Sequence, residues 1–386
     1  MNIFCLKERK SKQKKSTLIE AVPDRISCLP GHLTDQILSF LPIKEAVRTS
    51  VLSSKWRKKW YTIPNLVFDE HCVSIAASQD PSIFNIEFLR IVDHVLLLHS
   101  GPIIKFEISD YNHRHIDVST AIDRWILHLI GRSIKELLLV ISLDEYYKIP
   151  WCLFSCQSLQ HLKLICCWIK PPTTFQGLTN LETLHLDYVT ISQDALEKLI
   201  SGCPRLKSLI LIYIDNITRI NIHAPNLKHF DMMGKFKDIS FDNTFRLETV
   251  YIDLRIHNYS LKYLAEGVVP VELPTPCNYL DDLFLCMNFN DLKEISAALC
   301  LLRSSPNLRK LEISARIEKH TALLTSTSYC WEDIFSMPAV PIQVRHVTID
   351  GISSLSTRNV TPELTKALIQ FKRGSVEAEV ILDDSA

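Results

Sequence analysis

Four residues in the first third of the chain have side chains suited to acid–base or metal chemistry. Asp110, His113, His115 and Asp117 bring carboxylate and imidazole groups together within one short stretch, and such groups bind metal ions or exchange protons. The stretch lies between a predicted strand and a predicted helix. Polar loops that connect such elements are rich in the same residue types, so these residues do not by themselves indicate catalysis. No H-E-x-x-H or G-x-S-x-G motif accompanies it. We therefore expect no catalytic residue here, and a metalloenzyme or hydrolase centred on these histidines is kept as an alternative.

A second group of residues has side chains that bind zinc, and it consists of Cys152, Cys156, His161, Cys166 and Cys167. The spacing matches no standard zinc site, and none of the 12 cysteines of the chain forms a C-x-x-C pair. Because no secretory signal precedes them, we expect a reducing compartment, in which cysteine acts as a small buried hydrophobe. The sequence therefore predicts no metal site.

The composition of the chain argues against several classes of function. The 386 residues are 47% hydrophobic and 22% charged, and 43 basic residues balance 43 acidic ones, which is typical of a globular protein and argues against the coating of nucleic acid. The nine glycines are too far apart for a phosphate-binding loop. No apolar run approaches the roughly 18 residues that cross a bilayer. We therefore expect no cofactor, no nucleic-acid partner and no membrane segment.

One apolar pattern organises most of the chain. Nine copies of an apolar-x-x-apolar-x-apolar phrase run from Ile134 to Val344. Successive copies are separated by 25, 22, 25, 21, 20, 33, 28 and 36 residues, and six of these intervals fall within the roughly 20–29 residues of a leucine-rich repeat. Pro204, Pro225 and Pro306 each precede a copy by two positions, where proline ends a return segment and favours the start of a strand. Stacking of such strand-and-return units predicts a solenoid with parallel strands.

Alternation along each predicted strand assigns its two faces. The leucines of each phrase point into the core, and the residues between them point to the concave face of the solenoid. That face mixes aromatic, aliphatic and charged side chains, as recognition surfaces do; a merely solvated strand face is the alternative. The candidate target-binding residues are His161, Lys163, His185, Asp187, Ile210, Asp231, Tyr251, Asp253, Phe284 and Glu312.

Three short helices are predicted before the repeats, between Asp24 and Tyr61. Apolar residues recur every four positions from Leu33 to Leu41, and Pro42 ends this first helix. The second helix covers Ile43 to Ser50, and the third begins after Ser53, whose hydroxyl can cap it, and carries two tryptophans one turn apart. These 38 residues are too few for independent stability. They therefore either cap the solenoid or present an apolar face to another protein.

The motifs within these helices resemble an F-box of the plant type. The resemblance rests on the opening Leu29-Pro30, the central Leu41-Pro42 and the closing Ser53-Ser54-Lys55-Trp56. It implies that the segment binds a Skp-type adaptor. The positions that it assigns as adaptor contacts or their support are Leu29, Pro30, Leu33, Ile37, Leu38, Leu41, Pro42, Val47, Val51 and Trp56.

The remaining segments complete the predicted domain organisation. The repeats resemble those of plant F-box proteins over roughly residues 130 to 350, and the end of the chain is similar to the FBD module that follows such repeats. A helix capped by Thr361, with Pro362 at its first position, and an edge-covering strand from Val376 to Leu382 are expected there. The predicted domains are a disordered basic arm (1–22), the F-box (23–62), a linker or N-terminal cap of the solenoid (63–132), the leucine-rich repeats (133–300), and the last repeats with an FBD-like C-terminal cap (301–386).

The sequence thus predicts an α/β solenoid of irregular leucine-rich repeats, with parallel strands on the concave face and a small all-α N-terminal F-box. The resemblance implies the substrate-recognition subunit of an SCF-type ubiquitin ligase, in which the F-box binds a Skp-type adaptor and through it a cullin-based ligase. The solenoid would hold an unidentified target protein. Such a subunit is not an enzyme, and we expect it in the nucleus, the cytoplasm or both. The alternative is a leucine-rich-repeat scaffold or receptor that acts outside a ligase.

Overall fold

The computed structural model describes residues 28–73, 80–109, 121–140, 146–217, 219–234, 238–253, 276–287, 298, 300–315, 345–350 and 379–383. The basic arm, the polar cluster from Asp110 to Asp117 and the helix predicted at Thr361 lie outside these residues.

Parallel strands form one long sheet along the described part of the chain. Each strand pairs with the next repeat's strand in parallel, which is the topology of a solenoid. The strands of this sheet in spatial order are β1 (Asn65–Asp69), β2 (Lys105–Ser109), β3 (Glu136–Val140), β5 (His161–Ile165), β7 (Thr183–Asp187), β8 (Ser208–Ile212), β10 (His229–Met233), β12 (Thr249–Asp253), β13 (Asp282–Met287), β14 (Lys310–Ala315), β15 (His346–Asp350) and β16 (Glu379–Asp383).

The repeat phrase found in the sequence produces nine of these strands. Every copy of the phrase supplies one strand, from β3 to β15, so the predicted α/β solenoid is confirmed. Two strands from the segment before the repeats, β1 and β2, continue the sheet at its N-terminal end. At the other end β16 pairs with β15, as expected of a strand that covers the last repeat, although residues 376–378 lie outside the described part.

The core lies on the leucine side of the sheet. In β7, Leu184 and Leu186 are fully buried, whereas Thr183, His185 and Asp187 on the opposite face remain partly accessible. Each buried leucine contributes roughly 1.5–3 kcal/mol relative to an exposed one. A one-residue slip of any strand would turn its leucines to water, so this alternation also fixes the register.

Helices and short strands return the chain behind the sheet. The helices are α3 (Pro81–Leu98), α4 (Ile122–Gly131) and α5 (Gln193–Ser201), and their buried side chains join the same cluster as the strand leucines. Two small parallel sheets complete this layer: β4 (Tyr147–Lys148) with β6 (Cys167–Trp168), and β9 (Arg219–His223) with β11 (Asp238–Asp242). No helix in the described ranges combines the length and apolar content required to cross a membrane.

Two return segments touch backbone to backbone at Gly177 and Gly202. Gly177 has a φ of +112°, and a Cβ built on it would lie 2.0 Å from the carbonyl oxygen of Gly202. Only glycine combines this backbone conformation with so close an approach.

The N-terminal helical segment contains α1 (Gly31–Ser39) and α2 (Ile43–Arg48), followed by a short 3-10 helix at Thr49–Val51. The predicted third α-helix is wrong. The chain instead makes successive turns and ends in a 3-10 helix at Lys59–Thr62. The hydroxyl of Ser53 forms no hydrogen bond within the described part of the chain. Trp56 and Trp60 are both buried, so tertiary packing of the two tryptophans decides the local conformation.

This helical segment is joined to the solenoid by hydrogen bonds. The amide of Ser100 donates to the carbonyl of Tyr61 at 2.9 Å, and that of Ile104 donates to the carbonyl of Pro64 at 2.7 Å. His99 is buried and its Nε2 donates to the carbonyl of Ile63 at 2.8 Å. Burial lowers the pKa of His99, which keeps the ring neutral at this junction. The helical segment is therefore anchored to the first two strands.

Candidate functional site

Apolar side chains project from one face of α1 into solvent. Leu33, Ile37 and Phe40 lie four and three positions apart, which places them on one side of a helix. Leu33 and Ile37 are exposed, and Phe40, which follows the last residue of the helix, is 79% exposed. We call these three residues the α1 face. Val51 and Leu52, in the 3-10 turn after α2, are also exposed. Exposed apolar residues in such a group are typical of protein-binding surfaces.

The structure divides the predicted adaptor-binding residues by burial. Those that are exposed are Pro30, Leu33, Ile37, Pro42 and Val51. Leu29, Leu41 and Val47 are partly buried and pack against the core. Leu38 and Trp56 have 0% and 3% of their area exposed, so they support the surface and do not contact a partner.

Two exposed residues were not among these sequence-based assignments. Phe40 and Leu52 each lie next to a position that was assigned, Leu41 and Val51. Phe40 belongs to the apolar stripe of the first helix. Periodicity alone does not show which residues of that stripe point to solvent near Pro42, where the helix ends. Leu41 packs inward and Phe40 outward.

The second surface is the concave face of the main sheet. Strand register places seven of the ten predicted target-binding residues in one unbroken line, which we call the central row. Neighbouring strands are about 4.8 Å apart, so the row is about 29 Å long. Its members in spatial order are Lys163, His185, Ile210, Asp231, Tyr251, Phe284 and Glu312.

The other three predicted residues lie beside the central row. His161 is on its N-terminal side, and Asp187 and Asp253 are on its C-terminal side. His161 and Asp187 are partly accessible. Asp253, however, has only 2% of its area exposed, so the assignment of Asp253 as a direct target contact needs correction. A strand-face position is not necessarily open to solvent, because side chains on adjacent strands and on the same strand can cover it.

Burial perturbs several charged groups on this face. His185 has a buried Nε2 that no described residue hydrogen-bonds, and burial, together with the charge of Lys163, lowers its pKa to about 4. Burial raises the pKa of Asp187, and the charge of Lys163 partly opposes that effect. Burial alone raises the pKa of Asp231. These three side chains are thus partly removed from water in the protein alone.

A groove of about 350 Å³ runs across the middle of the concave face. The rings of Tyr251 and Phe284 stack within it, with centroids 4.2 Å apart and planes inclined by 3°. Ile210, Asp231 and Glu312 continue its lining on both sides of the ring pair. We call it the central groove.

The four cysteines of the possible zinc group are buried or partly buried, whereas His161 lies on the concave face. Cys156 and Cys167 are buried, and burial raises the pKa of the Cys167 thiol. Burial also raises the pKa of Cys152 and of Cys166, which disfavours the thiolate form that binds metals. Within the described ranges, no three residues of the His, Cys, Asp and Glu types are grouped for metal binding.

Comparison with known proteins agrees with this architecture. A model of the F-box domain matches residues 26–67, and a model described as LRR repeats of FBD-associated F-box protein At5g56370 matches residues 122–262. The chain is 38% identical over 325 residues to the F-box/FBD/LRR-repeat protein At1g13570 of Arabidopsis thaliana, and the match covers 76% of each chain. The chain belongs to the F-box/FBD/LRR-repeat family.

Further Arabidopsis thaliana relatives match over shorter shares of their length. The F-box/LRR-repeat protein At3g59200 is 33% identical over 61% of this chain and 47% of its own length. The FBD-associated F-box protein At3g52670 is 30% identical over 70% of this chain and 58% of its own length. The sequence-based assignment to the plant F-box/FBD/LRR-repeat proteins is therefore confirmed.

In this F-box/FBD/LRR-repeat protein, the two surfaces lie on different parts of the molecule. The F-box joins the sheet at β1 and β2, whereas the central groove spans β8 to β14. Six strand spacings separate β1 from β10, which is about 29 Å along the sheet. The arrangement can therefore hold two proteins at the same time.

Proposed function

We propose that this protein is the substrate-recognition subunit of an SCF-type ubiquitin ligase. The F-box binds a Skp-type adaptor and, through it, a cullin-based ligase, while the concave face of the solenoid holds a protein target for ubiquitination. The protein acts in the nucleus, the cytoplasm or both.

The observation that carries this proposal is the orientation of the F-box. Its tryptophans, Trp56 and Trp60, are buried in the chain's own core, and its end is hydrogen-bonded to the start of the solenoid. The α1 face nevertheless remains in solvent. A segment that only capped the solenoid would turn its apolar residues inward, because exposed apolar area gains no burial energy.

The subunit contributes proximity to the reaction and has no catalytic residue of its own. The acceptor lysine belongs to the target, and the reactive thioester belongs to a conjugating enzyme elsewhere in the assembly. Holding both partners on one body converts their encounter into an effectively intramolecular step, which raises the effective concentration of the acceptor. The separation between the F-box and the central groove supports this division of roles.

Capture by a purified Skp-type adaptor tests the proposal. The decisive variant is Phe40→Asp, because Phe40 is 79% exposed and its replacement removes little core packing. The matched control is Leu97→Asp: Leu97 is 82% exposed and, like Phe40, lies at the C-terminal end of a helix, where an added carboxylate has the same unfavourable interaction with the helix dipole. Leu41→Asp is less informative because Leu41 is partly buried.

We expect the unmodified chain and Leu97→Asp to be captured equally, and Phe40→Asp to bind at least about tenfold more weakly, as for the loss of one buried interface anchor. Circular dichroism of all three proteins confirms that each is folded. Equal capture of both variants would show that the α1 face is not the docking surface. Failure of the folded, unmodified chain to bind any Skp-type adaptor would favour the scaffold or receptor function.

A further inference from the structure

Asp231 lies at the centre of the concave face, and none of the described residues forms an ion pair with it. Its register neighbours on the adjacent strands are Ile210 and Tyr251. In the described part of the chain, its carboxylate forms neither an ion pair nor a hydrogen bond, and burial is the cause of its raised pKa. A carboxylate that is partly removed from water and unpaired is costly, and a cation placed beside it recovers that cost.

The groove is lined by three carboxylates, and they differ in exposure and pairing. The ammonium of Lys310 is 3.4 Å from the carboxylate of Glu312, on the same strand. Asp282 is exposed to water, whereas Asp231 is only partly accessible. Among the described residues, Asp231 is therefore the groove carboxylate that is partly removed from water without an ion-pair partner.

The aromatic pair adjoins this carboxylate directly. Tyr251 follows Asp231 in the central row, and Phe284 stacks on Tyr251 with nearly parallel planes. Both rings are only partly buried. The negative π-system of an aromatic ring attracts cations, most strongly when water is excluded.

The carboxylate of Asp231 and the rings of Tyr251 and Phe284 together favour an arginine side chain as the bound group. Arginine carries a planar, weakly hydrated guanidinium that stacks on aromatic rings and forms two parallel hydrogen bonds to a carboxylate. Lysine is a compact and strongly hydrated point charge, so it gains less from a flat, partly dry surface. The volume of about 350 Å³ is near the lower end of the roughly 300–1,000 Å³ of small-molecule pockets, which suits a single inserted side chain.

We infer that the central groove receives an arginine side chain of the bound target, with Asp231 as its carboxylate partner and the stacked rings of Tyr251 and Phe284 as the surface against which it lies. This inference rests on the proposed function, because it takes the concave face to be the target-binding surface. It defines the target by chemistry: a protein that presents an exposed arginine on an accessible segment.

Short synthetic peptides test the inference without knowledge of the target. The full-length chain is immobilised for surface plasmon resonance, and pentapeptides are passed over it at concentrations up to several millimolar. Their central residue is arginine, lysine or citrulline, each flanked by glycines. Citrulline has nearly the shape of arginine but no charge, so the comparison isolates the charge. We expect the arginine peptide to bind about tenfold or more tightly than the citrulline peptide, as for a hydrogen bond to a charged group.

Variants of two aspartates locate the site. Asp231→Asn keeps the shape of the side chain, and we expect it to abolish the preference for arginine over citrulline. Asp194→Asn is the control, because it removes the same charge from an exposed aspartate in the first turn of α5, behind the sheet. This control should keep the preference within about twofold. Tyr251→Ala should weaken binding of the arginine peptide more than that of the citrulline peptide, because cation–π attraction requires the charge.

Several results would overturn the inference. They are equal binding of arginine and citrulline peptides, equal binding of lysine and arginine peptides, an unchanged preference in Asp231→Asn, and no measurable binding of the arginine peptide by the folded chain. Adaptor capture by the same protein preparations is measured separately. A chain that captures the adaptor but shows no preference for arginine keeps the proposed ligase function and loses the groove inference.

Discussion

Acid should destabilise the solenoid through His185, and replacement of this residue should remove part of that sensitivity. The ring of His185 is neutral in the folded protein because burial and the charge of Lys163 lower its pKa to about 4, from an ordinary value of 6.5. In the unfolded chain the imidazole takes up a proton near pH 6.5. Below that pH the unfolded state therefore binds one more proton than the folded state, and stability falls with the pH.

The size of the stability loss follows from the difference between the pKa of His185 in the unfolded chain and in the folded protein. Above pH 6.5 neither state binds the proton, so His185 imposes no penalty. Between pH 6.5 and pH 4 the loss of unfolding free energy grows at about 1.4 kcal/mol for each pH unit, and at pH 5 this loss reaches at most about 2 kcal/mol. Because the side chain is partly accessible to water, we take about 1–2 kcal/mol as the expected loss at pH 5.

His185→Leu isolates this contribution. Leucine has no titrating group, and the residues next to this position in the central row are Lys163 and Ile210. Urea unfolding of both proteins is followed by circular dichroism at pH 7.5, 6.5, 5.5 and 5.0. Other groups with shifted pKa values, His99, His128 and Asp187, are present in both proteins, so their effects cancel in the difference.

We expect the difference in unfolding free energy between the two proteins to change by about 1–2 kcal/mol in favour of His185→Leu as the pH falls from 7.5 to 5.0. Parallel curves of stability against pH would refute the assignment of a buried neutral imidazole. The slope of unfolding free energy against urea must be the same for both proteins, since a changed slope reports altered compactness and not altered stability.

Three further predictions concern packing. Gly177→Ala should lower the unfolding free energy by about 2–4 kcal/mol, because the new Cβ would meet the carbonyl of Gly202 in a strained backbone; an unchanged urea midpoint would contradict the close approach. Leu38→Ala should cost about 2–5 kcal/mol through a cavity in the F-box core, measured by the same unfolding assay, and a loss below 1 kcal/mol would show that Leu38 is not fully packed. Iodoacetamide at pH 8 should label exposed Cys28 in the native protein but label Cys167 only after unfolding, as read by mass spectrometry; rapid native labelling of Cys167 would contradict its burial and its raised pKa.

Most of the sheet could be predicted from sequence because one pattern is repeated. In β8, the phrase Leu206, Leu209 and Leu211 specifies both the strand and the face that is buried, and the same phrase at a regular interval specifies the stacking of units. The first two strands carry the same phrase, as Ile63, Leu66 and Phe68 and as Ile103, Phe106 and Ile108, and all six side chains are buried. These two copies are 40 and 31 residues from the next copy, outside the roughly 20–29 residues of a repeat, so the interval alone did not indicate their place in the long sheet, which follows from the observed pairing.

The third F-box helix could not be predicted from spacing alone. Trp56 and Trp60 lie one helical turn apart, but successive turns also bring both rings into the core. Ser53 has a residue type that caps helices, yet its hydroxyl has no partner. Local signals of this kind are weak compared with the burial of two tryptophans.

Alternation identified the residues of the concave face but not their environments. It placed Asp231 and Tyr251 on the same side of their strands, and the structure confirms that placement. The missing charge partner of Asp231 and the near-complete burial of Asp253 depend on how deeply each side chain lies among neighbours from other repeats. A single sequence carries little information on that depth.

The hydrogen-bonded junction between the F-box and the first strands fixes the distance between the two surfaces. The amides of Ser100 and Ile104 hold the end of the F-box against β2, so the number of strands sets the span from the α1 face to the central groove. In the proposed ligase, this span would decide which lysines of a bound target reach the transferred ubiquitin. Adding or removing a single repeat between β3 and β8 would change the span by about one strand spacing, and we then expect different lysines of the same target to be modified.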